Sequence, residues 1–292
     1  ASFGTLNEYY RSGILVSRYS NNDITWEKSH KTNIGFELGI ASKLTIEADY
    51  FKENRTDILM TRASIPTTMG LTAPIRANVG EASSQGMDGS FVYSDNIGTD
   101  WWFKARANYT FATSRFEVYE EPVYNESYLS RVGSSLSQQW GYIAERLFVD
   151  EAEVANSPKQ NFGTYLGGDI KYRDVNGDGQ VTERDRVPIG YPTDPEIIYG
   201  FGGSFGYKRF DFSFFFQGSA RSSFWIDPNA TSPFKGETQL LKAYADSYWS
   251  EDNRNSYALW PRLSSNVINN NVQNSTWFMQ DGSFLRLKSA EF

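Results

Sequence analysis

The chain has 292 residues, with no cysteine, one histidine, 24 glycines, 16% aromatic residues and a formal net charge of −7. Mean hydropathy is −0.52, and no run reaches the roughly 18 consecutive apolar residues of a membrane-spanning helix. Without Cys there can be no disulfide framework, thiolate zinc site or thiol nucleophile, and the acidic balance argues against nucleic acid as a partner.

The elements follow in chain order. From Thr32, the residues Ile34, Phe36 and Leu38 point one way and Asn33, Gly35 and Glu37 the other, the period of a strand. After a polar connection at 41–43, Leu44, Ile46, Ala48 and Tyr50 alternate with Thr45, Glu47 and Asp49, completing a hairpin. A second hairpin sets Met87, Phe91 and Tyr93 against Gly86, Asp88 and Ser90. It turns near 95–100 and returns with Phe103, Ala105, Ala107, Tyr109 and Phe111 opposite Lys104, Arg106, Asn108 and Thr110. A third runs from Ile197 to Gly206, turns at 207–209 and returns through Phe210, Phe212, Phe214 and Phe216. A last run opposes Leu285 and Leu287 to Arg286 and Lys288. Between the hairpins, 239–249 places Leu240, Leu241, Tyr244 and Tyr248 at helical spacing and is expected to pack as a helix.

Short connections alternate with long ones, at 60–78, 113–195 and 219–276. Structureless loops beyond about 15 residues are uncommon in compact domains unless they carry function. Short turns at one end, long loops at the other and aromatic-rich alternating strands describe an all-β, transmembrane antiparallel β-barrel. Charged strand residues such as Glu37, Glu47, Asp49, Lys104 and Arg106 then face a wet lumen. The same alternation suits a β-sandwich with one wet face, in which case the stripe Phe103, Ala105, Ala107, Tyr109 and Phe111 is a buried core. A secreted, calcium-dependent, glycan-binding sandwich is the alternative function.

The most specific local signal is the run from Asp174 to Asp185. Laid on a calcium loop, Asp174, Asn176 and Asp178 supply side-chain oxygens at positions 1, 3 and 5, Gly179 the turn at 6, and Gln180 a carbonyl at 7. Asp185 supplies a carboxylate at position 12. A hard cation wants six to eight oxygens, and such a loop converges them within a dozen residues. The bland reading is an Asx-rich turn without an ion. Other groups offer less. His30, near Lys28 and Lys31, reads as a solvated strand residue. Glu120 and Glu121, adjacent on an extended chain, face opposite ways. Asp194 and Glu196 flank Pro195 at a strand entrance. The glycine-rich stretch 200–206 opens no helix, so it is not a phosphate loop; its small residues leave room on the lumen side. Trp140, Tyr142, Trp225 and Trp260 read as loop packing. No convergent acid, base or nucleophile set is present, so an enzyme is not expected.

Several segments together carry a family resemblance. They are Trp140-Gly-Tyr142, the block 168–186, Ile189-Gly-Tyr-Pro, Tyr199-Gly-Phe201 and Phe214-Phe-Phe-Gln-Gly218. Asp23-Ile-Thr-Trp26-Glu27, Thr32-Asn33-Ile-Gly35, Asp49-Tyr50-Phe51, Asn78-Val-Gly80, Gly86-Met-Asp88 and Ser283-Phe-Leu-Arg-Leu-Lys288 belong with them. In order and spacing they resemble the C-terminal barrel region of SusC-like (SusC/RagA) TonB-dependent transporters, over nearly the whole chain. The resemblance implies a 22-stranded barrel in a bacterial outer membrane, with an N-terminal plug, a SusD-like lipoprotein lid and coupling to the TonB complex. Oligosaccharides or peptides would be the imported solutes. It also places 113–195 and 219–276 among extracellular loops and supports calcium at Asp174, Asn176, Asp178, Gln180 and Asp185. The start at Ala1 and the end in mid-strand at Phe292 are read as a C-terminal portion, residues 1–292, of a longer chain.

Overall fold

The computed structural model describes residues 2–3, 9–10, 13–14, 16–236 and 238–292. Its frame is one antiparallel sheet of seven strands: β1 (Lys28–Ile40), β2 (Leu44–Thr61), β3 (Arg76–Ile97), β4 (Trp101–Val118), β5 (Ile197–Tyr207), β6 (Phe210–Ala220) and β7 (Phe284–Glu291). Spatial order equals chain order, so the sheet is an up-and-down meander without a crossover. At the tight-turn end the backbone takes positive φ at Ala41 (51°), Ser42 (57°), Gly98 (69°) and Lys208 (55°), as two- and three-residue hairpin connections require.

Register turns the alternation of each strand into continuous rows. On one face Leu38, Ile46, Phe91, Ala107, Phe201, Phe216 and Leu287 are successive cross-strand partners. The neighbouring row, on the other face, reads Glu37, Glu47, Ser90, Asn108, Gly200, Gln217 and Arg286. The apolar face is bare: Ile34, Phe36 and Leu287 are 69%, 60% and 53% exposed. Among the described residues no second sheet covers it, which removes the sandwich alternative. At the tight-turn end the rings of Trp101 and Tyr207 lie 4.3 Å apart and those of Phe210 and Phe292 6.2 Å apart, an aromatic band of the kind that marks a membrane interface.

Several strands outrun their sequence pattern. β3 has 22 residues and β2 and β4 have 18 each, against the roughly 9–11 that cross a bilayer. They project beyond the apolar band on the long-loop side, where a polar surface carries no alternation to read. The first two connections are correspondingly shorter than expected and the third slightly longer: the chain leaves the sheet at Thr61, Val118 and Ala220 and rejoins it at Arg76, Ile197 and Phe284.

The expected helix over 239–249 shrinks to Lys242–Asp246. Tyr244 is buried as the spacing predicts, but Leu241 is exposed. Tertiary pairing stops the helix: the Trp260 N–H donates to the Ser247 carbonyl at 3.0 Å, and the Trp249 N–H donates to the Trp260 carbonyl at 3.2 Å.

Candidate functional site

The polar face of the sheet is built by pairs of large and absent side chains. A Cβ on Gly86 would lie 2.6 Å from the Phe51 ring, and one on Gly200 would lie 2.7 Å from the Phe215 ring. The indole of Trp102 occupies the space a side chain at Gly206 would need, and the Asp49 carboxylate does the same at Gly35. Inner aromatics therefore lie flat on neighbouring glycines instead of projecting from the wall. This is what the glycine-rich stretch 200–206 does, and it explains why the segments around Gly35, Asp49, Phe51 and Gly86 occur together: they are cross-strand partners. A second such link joins distant motifs, because Asn78 accepts from the Thr25 N–H at 3.0 Å and donates to the Thr25 carbonyl at 2.9 Å.

Charge on this face is mixed: Glu37, Glu47, Asp49 and Asp88 stand on β1 to β3, Lys104, Arg106, Arg286 and Lys288 on β4 and β7, and Asp211 and Glu291 on β6 and β7. Arg106 lies over the Phe215 ring, 4.7 Å from its centroid. His30 is exposed on β1, as expected.

The two longest connections form one body. Tyr142, Leu147, Ile170, Tyr172 and Val181 from the first pack with Tyr244, Trp249, Ala258, Trp260 and Phe278 from the second in a single buried cluster. Backbone hydrogen bonds cross between them: Leu147 N–H to the Ser256 carbonyl at 2.8 Å, Tyr142 N–H to Asn274 at 2.9 Å and Arg262 N–H to Gly168 at 3.0 Å. The polar centre is Asp169, fully buried. Its carboxylate accepts from Asn271 Nδ2 and the Leu166 N–H, both at 2.8 Å, and from Arg262 Nη2 at 3.1 Å, with Arg262 Nε 2.9 Å away. Burial pushes the Asp169 carboxyl above its usual range, against the opposing pull of Asn271 and Arg262. Gln160 and Asn270 extend the network to the Ile170 carbonyl and the Tyr172 N–H. Sequence reasoning missed this centre, whose only sequence trace is scattered Asn, Gln and Asp in two separate loops. At its edge burial raises Glu153, but the Val149 N–H, Lys171 and Arg146 outweigh it and hold the carboxyl down at about 2.

Of the loop aromatics, Tyr142 and Trp260 are buried in this cluster and Trp225 packs against it, while Trp140 is half-buried beside it. Glu120 and Glu121 do diverge, Glu120 to Arg62 and Ser64, Glu121 to Ser130 and the Arg131 N–H. Glu196 pairs with Arg221 at 2.9 Å.

The acidic run sits on this body. Gln180–Val181 pairs in parallel with Lys159–Gln160, and Val181 enters the buried cluster. Asp174 accepts from the Gly177 and Gly179 N–H groups at 2.8 Å each, Asn176 Oδ1 from the Asp178 N–H at 3.0 Å, and Asp178 Oδ1 from the Gln180 N–H at 2.9 Å. Gly177 and Gly179 have φ of 74° and 84°, which the winding of these turns demands. Asp185 is buried and clasps the loop, accepting from the Val175 N–H at 2.8 Å and the Thr182 N–H at 2.7 Å. Gln180 presents its side-chain oxygen to Asn161 at 3.0 Å. Burial raises the nearby Tyr128 hydroxyl, and Asp185, Glu126, Asp174 and Asp178 raise it further, so their field is felt at one point. Among the described residues no three His, Cys, Asp or Glu side chains meet at metal-ligand geometry. An ionised carboxylate has about four acceptor sites, so Asp174 and Asp178 each keep free lone pairs after these bonds. Carboxylate and amide oxygens of this kind are the ligands a hard cation takes.

Comparison with known proteins bears on the whole chain. The family model described as TonB dependent receptor-like, beta-barrel, matches residues 2–274. A TonB-dependent receptor of Formosa agariphila is 26% identical over 98% of the chain and 29% of its own length. TonB-dependent receptor SusC of Bacteroides thetaiotaomicron is 22% identical over 91% of the chain and 26% of its own length. Among solved structures, the RagAB peptide importer in its open-open state superposes with a TM-score of 0.68 at 20% identity, over 99% of the chain and 31% of that chain. The chain thus spans less than a third of the length of these relatives. With its bare apolar face, wet inner face and matched family model, the chain belongs to the TonB-dependent receptor β-barrel family and forms part of an antiparallel barrel wall in the outer membrane.

Proposed function

We propose that this chain is wall and extracellular loop structure of a SusC-like channel that imports oligosaccharides or peptides, energised by the TonB complex and covered by a SusD-like surface lipoprotein. The observation that carries this reading is the joined loop body. Four adjacent strands hold it at one end of the sheet, where a lid would meet the channel mouth. The kinship with TonB-dependent receptor SusC and the likeness to the RagAB peptide importer support a nutrient channel rather than a catalyst. Residues 113–195 and 219–276 are the proposed extracellular portions. The test is affinity purification of the intact protein from native outer membranes. A lipoprotein of the lid class should co-purify and be lost when the largely exposed stretch Asn253–Tyr257 is replaced by a Gly-Ser linker of the same length, which keeps the backbone carbonyl at 256. Recovery of the protein alone, with solute uptake unchanged when TonB is deleted, would sink the reading.

The loop Asp174–Asp185 is proposed to hold a structural calcium through Asp174, Asn176, Asp178, Gln180 and Asp185. Its support is the spacing, the free lone pairs of Asp174 and Asp178, and three carboxylates for which no ion pair is found among the described residues. Asp178→Ala should abolish calcium binding by the intact protein, read by isothermal titration. Equal calcium uptake by parent and variant, or none by the parent at millimolar calcium, would exclude the assignment.

A further inference from the structure

The inner face of the sheet holds a hollow of about 550 Å³, within the size range of small-ligand sites, lined by Ser90, Val92, Arg106, Asn108, Phe215, Lys288 and Ser289 among others. Its two cations come from different strands, Arg106 from β4 and Lys288 from β7, with the Phe215 ring between them on β6. The ring is pressed onto Gly200 and Gly202, so it makes a floor rather than a projection. Arg106 rests on that floor, 4.7 Å from the ring centroid. A guanidinium stacked on a ring keeps its N–H fork free and pre-oriented for a planar, doubly accepting anion. Lys104 and Arg286 lie one row away along the same strands.

None of these four cations is found in an ion pair among the described residues; Arg286 donates only to Gln217 Oε1, at 3.3 Å. That contrasts with the loop cations Arg146, Lys171, Arg221 and Arg262, each paired with a carboxylate. Of the acidic side chains on this face, Glu47 on β2 already accepts from Ser90 Oγ at 2.9 Å, while Glu291 on β7 and Asp211 on β6 stand one and two rows further towards the tight-turn end. Beside Val92 and Ala107, the uncharged polar groups of the hollow are the Ser90 and Ser289 hydroxyls and the Asn108 amide, which suit ring hydroxyls.

We infer that this hollow is a solute subsite for carboxylate-bearing oligosaccharides, with Arg106 and Lys288 engaging the carboxylates of one or two uronate residues. The inference rests on the import reading and narrows its solute class. Charge-assisted hydrogen bonds of this kind are each worth about a tenfold change in affinity.

The experiment uses the intact transporter purified with its lid from native membranes, titrated with galacturonate and mannuronate tetramers and with the same tetramers after carboxyl reduction. At least one acidic tetramer should bind about tenfold or more tightly than its neutral counterpart, and that preference should fade in about 0.5 M salt. Arg106→Gln and Lys288→Gln should each remove most of the preference and leave the neutral affinity unchanged. Arg106→Lys should keep part of it, and Lys43→Gln, at a turn where Lys43 already pairs with Asp95, should keep all of it. Equal binding of acidic and neutral forms, an intact preference in both glutamine variants, or equally tight binding of an acidic hexapeptide would overturn the inference. So would glutamine variants that fail to assemble while Arg106→Lys assembles without any acid preference, since the cations would then serve the protein's own packing. Growth-linked uptake of any solute, lost on deletion of the gene, keeps the import reading in place even when the acid preference fails.

Discussion

Removing the Arg262 side chain should unlock the two loops from each other. Asp169 is wholly buried, and Arg262 supplies its only cationic partner among the described residues, with Nε 2.9 Å from one carboxylate oxygen and Nη2 3.1 Å from the other. In Arg262→Ala the carboxylate keeps Asn271 Nδ2 and the Leu166 N–H, but its charge is left uncompensated inside the body. Breaking a buried pair from one side costs about 3–5 kcal/mol. The Arg262 side chain is 25% exposed, so water reaches part of the vacated space and the lower end, about 3 kcal/mol, applies. That corresponds to roughly a hundredfold rise in the opening constant of the loop body.

Hydrogen exchange on the intact protein reads this directly. The Ile170 N–H donates to Asn271 Oδ1 at 2.9 Å and the Tyr172 N–H to Gln160 Oε1 at 2.6 Å, so both report on the network. Both should exchange roughly a hundredfold faster in the variant, while amides of the β4–β5 pairing stay as in the parent. Arg254→Ala is the matched control: its contact with Asp150 is 3.8 Å long and half exposed, worth at most about 1 kcal/mol, or fivefold. Burial holds the Asp169 carboxyl above its usual range, and loss of Arg262 leaves that effect less opposed. A carboxyl raised in the folded state contributes stability that is present below its unfolded value and lost as pH rises through the folded one. The deficit of the variant relative to the parent must therefore shrink as pH falls through the carboxylate range. Unchanged exchange at neutral pH, or a deficit that widens on acidification, would refute the reasoning.

Three other substitutions probe the wall and the loop edge. Ala107→Arg puts a charge on the bare face between Phe91 and Phe201, at a cost of about 2–4 kcal/mol near the bilayer midplane; the folded, heat-modifiable band in outer-membrane fractions should fall, and a wild-type level would contradict lipid contact. Gly202→Ala drives a Cβ into the Phe214 carbonyl and 2.8 Å from Phe215, whereas Gly39→Ala meets nothing within 4 Å; only the first should impair assembly, and equal yields would show that the flat aromatic packing is dispensable. Glu153 is held at about 2 against an ordinary 4.5, so its contribution is present above that ordinary value and lost as pH falls towards 2; Glu153→Gln should flatten the acid-side loss of loop protection over that window, measured by the same exchange, and a parallel decline in both proteins would contradict the assignment.

The wall was readable because a strand repeats every two residues and a barrel strand meets two different solvents. Each side chain of the row from Leu38 to Leu287 is apolar or small because of the face it occupies, independently of its partners. Local pattern therefore carried the fold there, including the inward face of Glu37, Glu47, Asp49, Lys104 and Arg106. The strand extensions beyond the band were lost for the converse reason: residues 52–61 and 76–85 carry polar side chains on both faces, as at Lys52 and Glu53 or Ser84 and Gln85, so no alternation marks them as strand. The glycine-rich stretch was readable as room on the inner face but not as room for Phe215 and Trp102, because those rings come from neighbouring strands.

The loop body was illegible for a different physical reason, and that reason bears on how it works. Its decisive contacts join residues about a hundred positions apart, such as Ile170 with Asn271 and Asp169 with Arg262, and no local periodicity encodes them. What brings them together is strand order. The first loop leaves β4 and returns on β5, the second leaves β6 and returns on β7, and these four strands are consecutive neighbours in the sheet. The attachment points Ile197, Ala220 and Phe284 lie nearly level on neighbouring strands, within about 10 Å at about 4.8 Å per strand, and Val118 stands about 23 Å further along β4 than Phe111, the partner of Ile197, so the loops meet at high local concentration once the hairpin β5–β6 is paired. The same geometry ties the body to the wall at four points, so a load applied to the loops is shared by β4 to β7. The acidic loop Asp174–Asp185 belongs to that rigid body through Val181 and Gln160. An ion held there would stiffen the junction of the two loops rather than switch a separate domain, and its removal should be felt at Tyr172, through Gln160, before it is felt in the sheet.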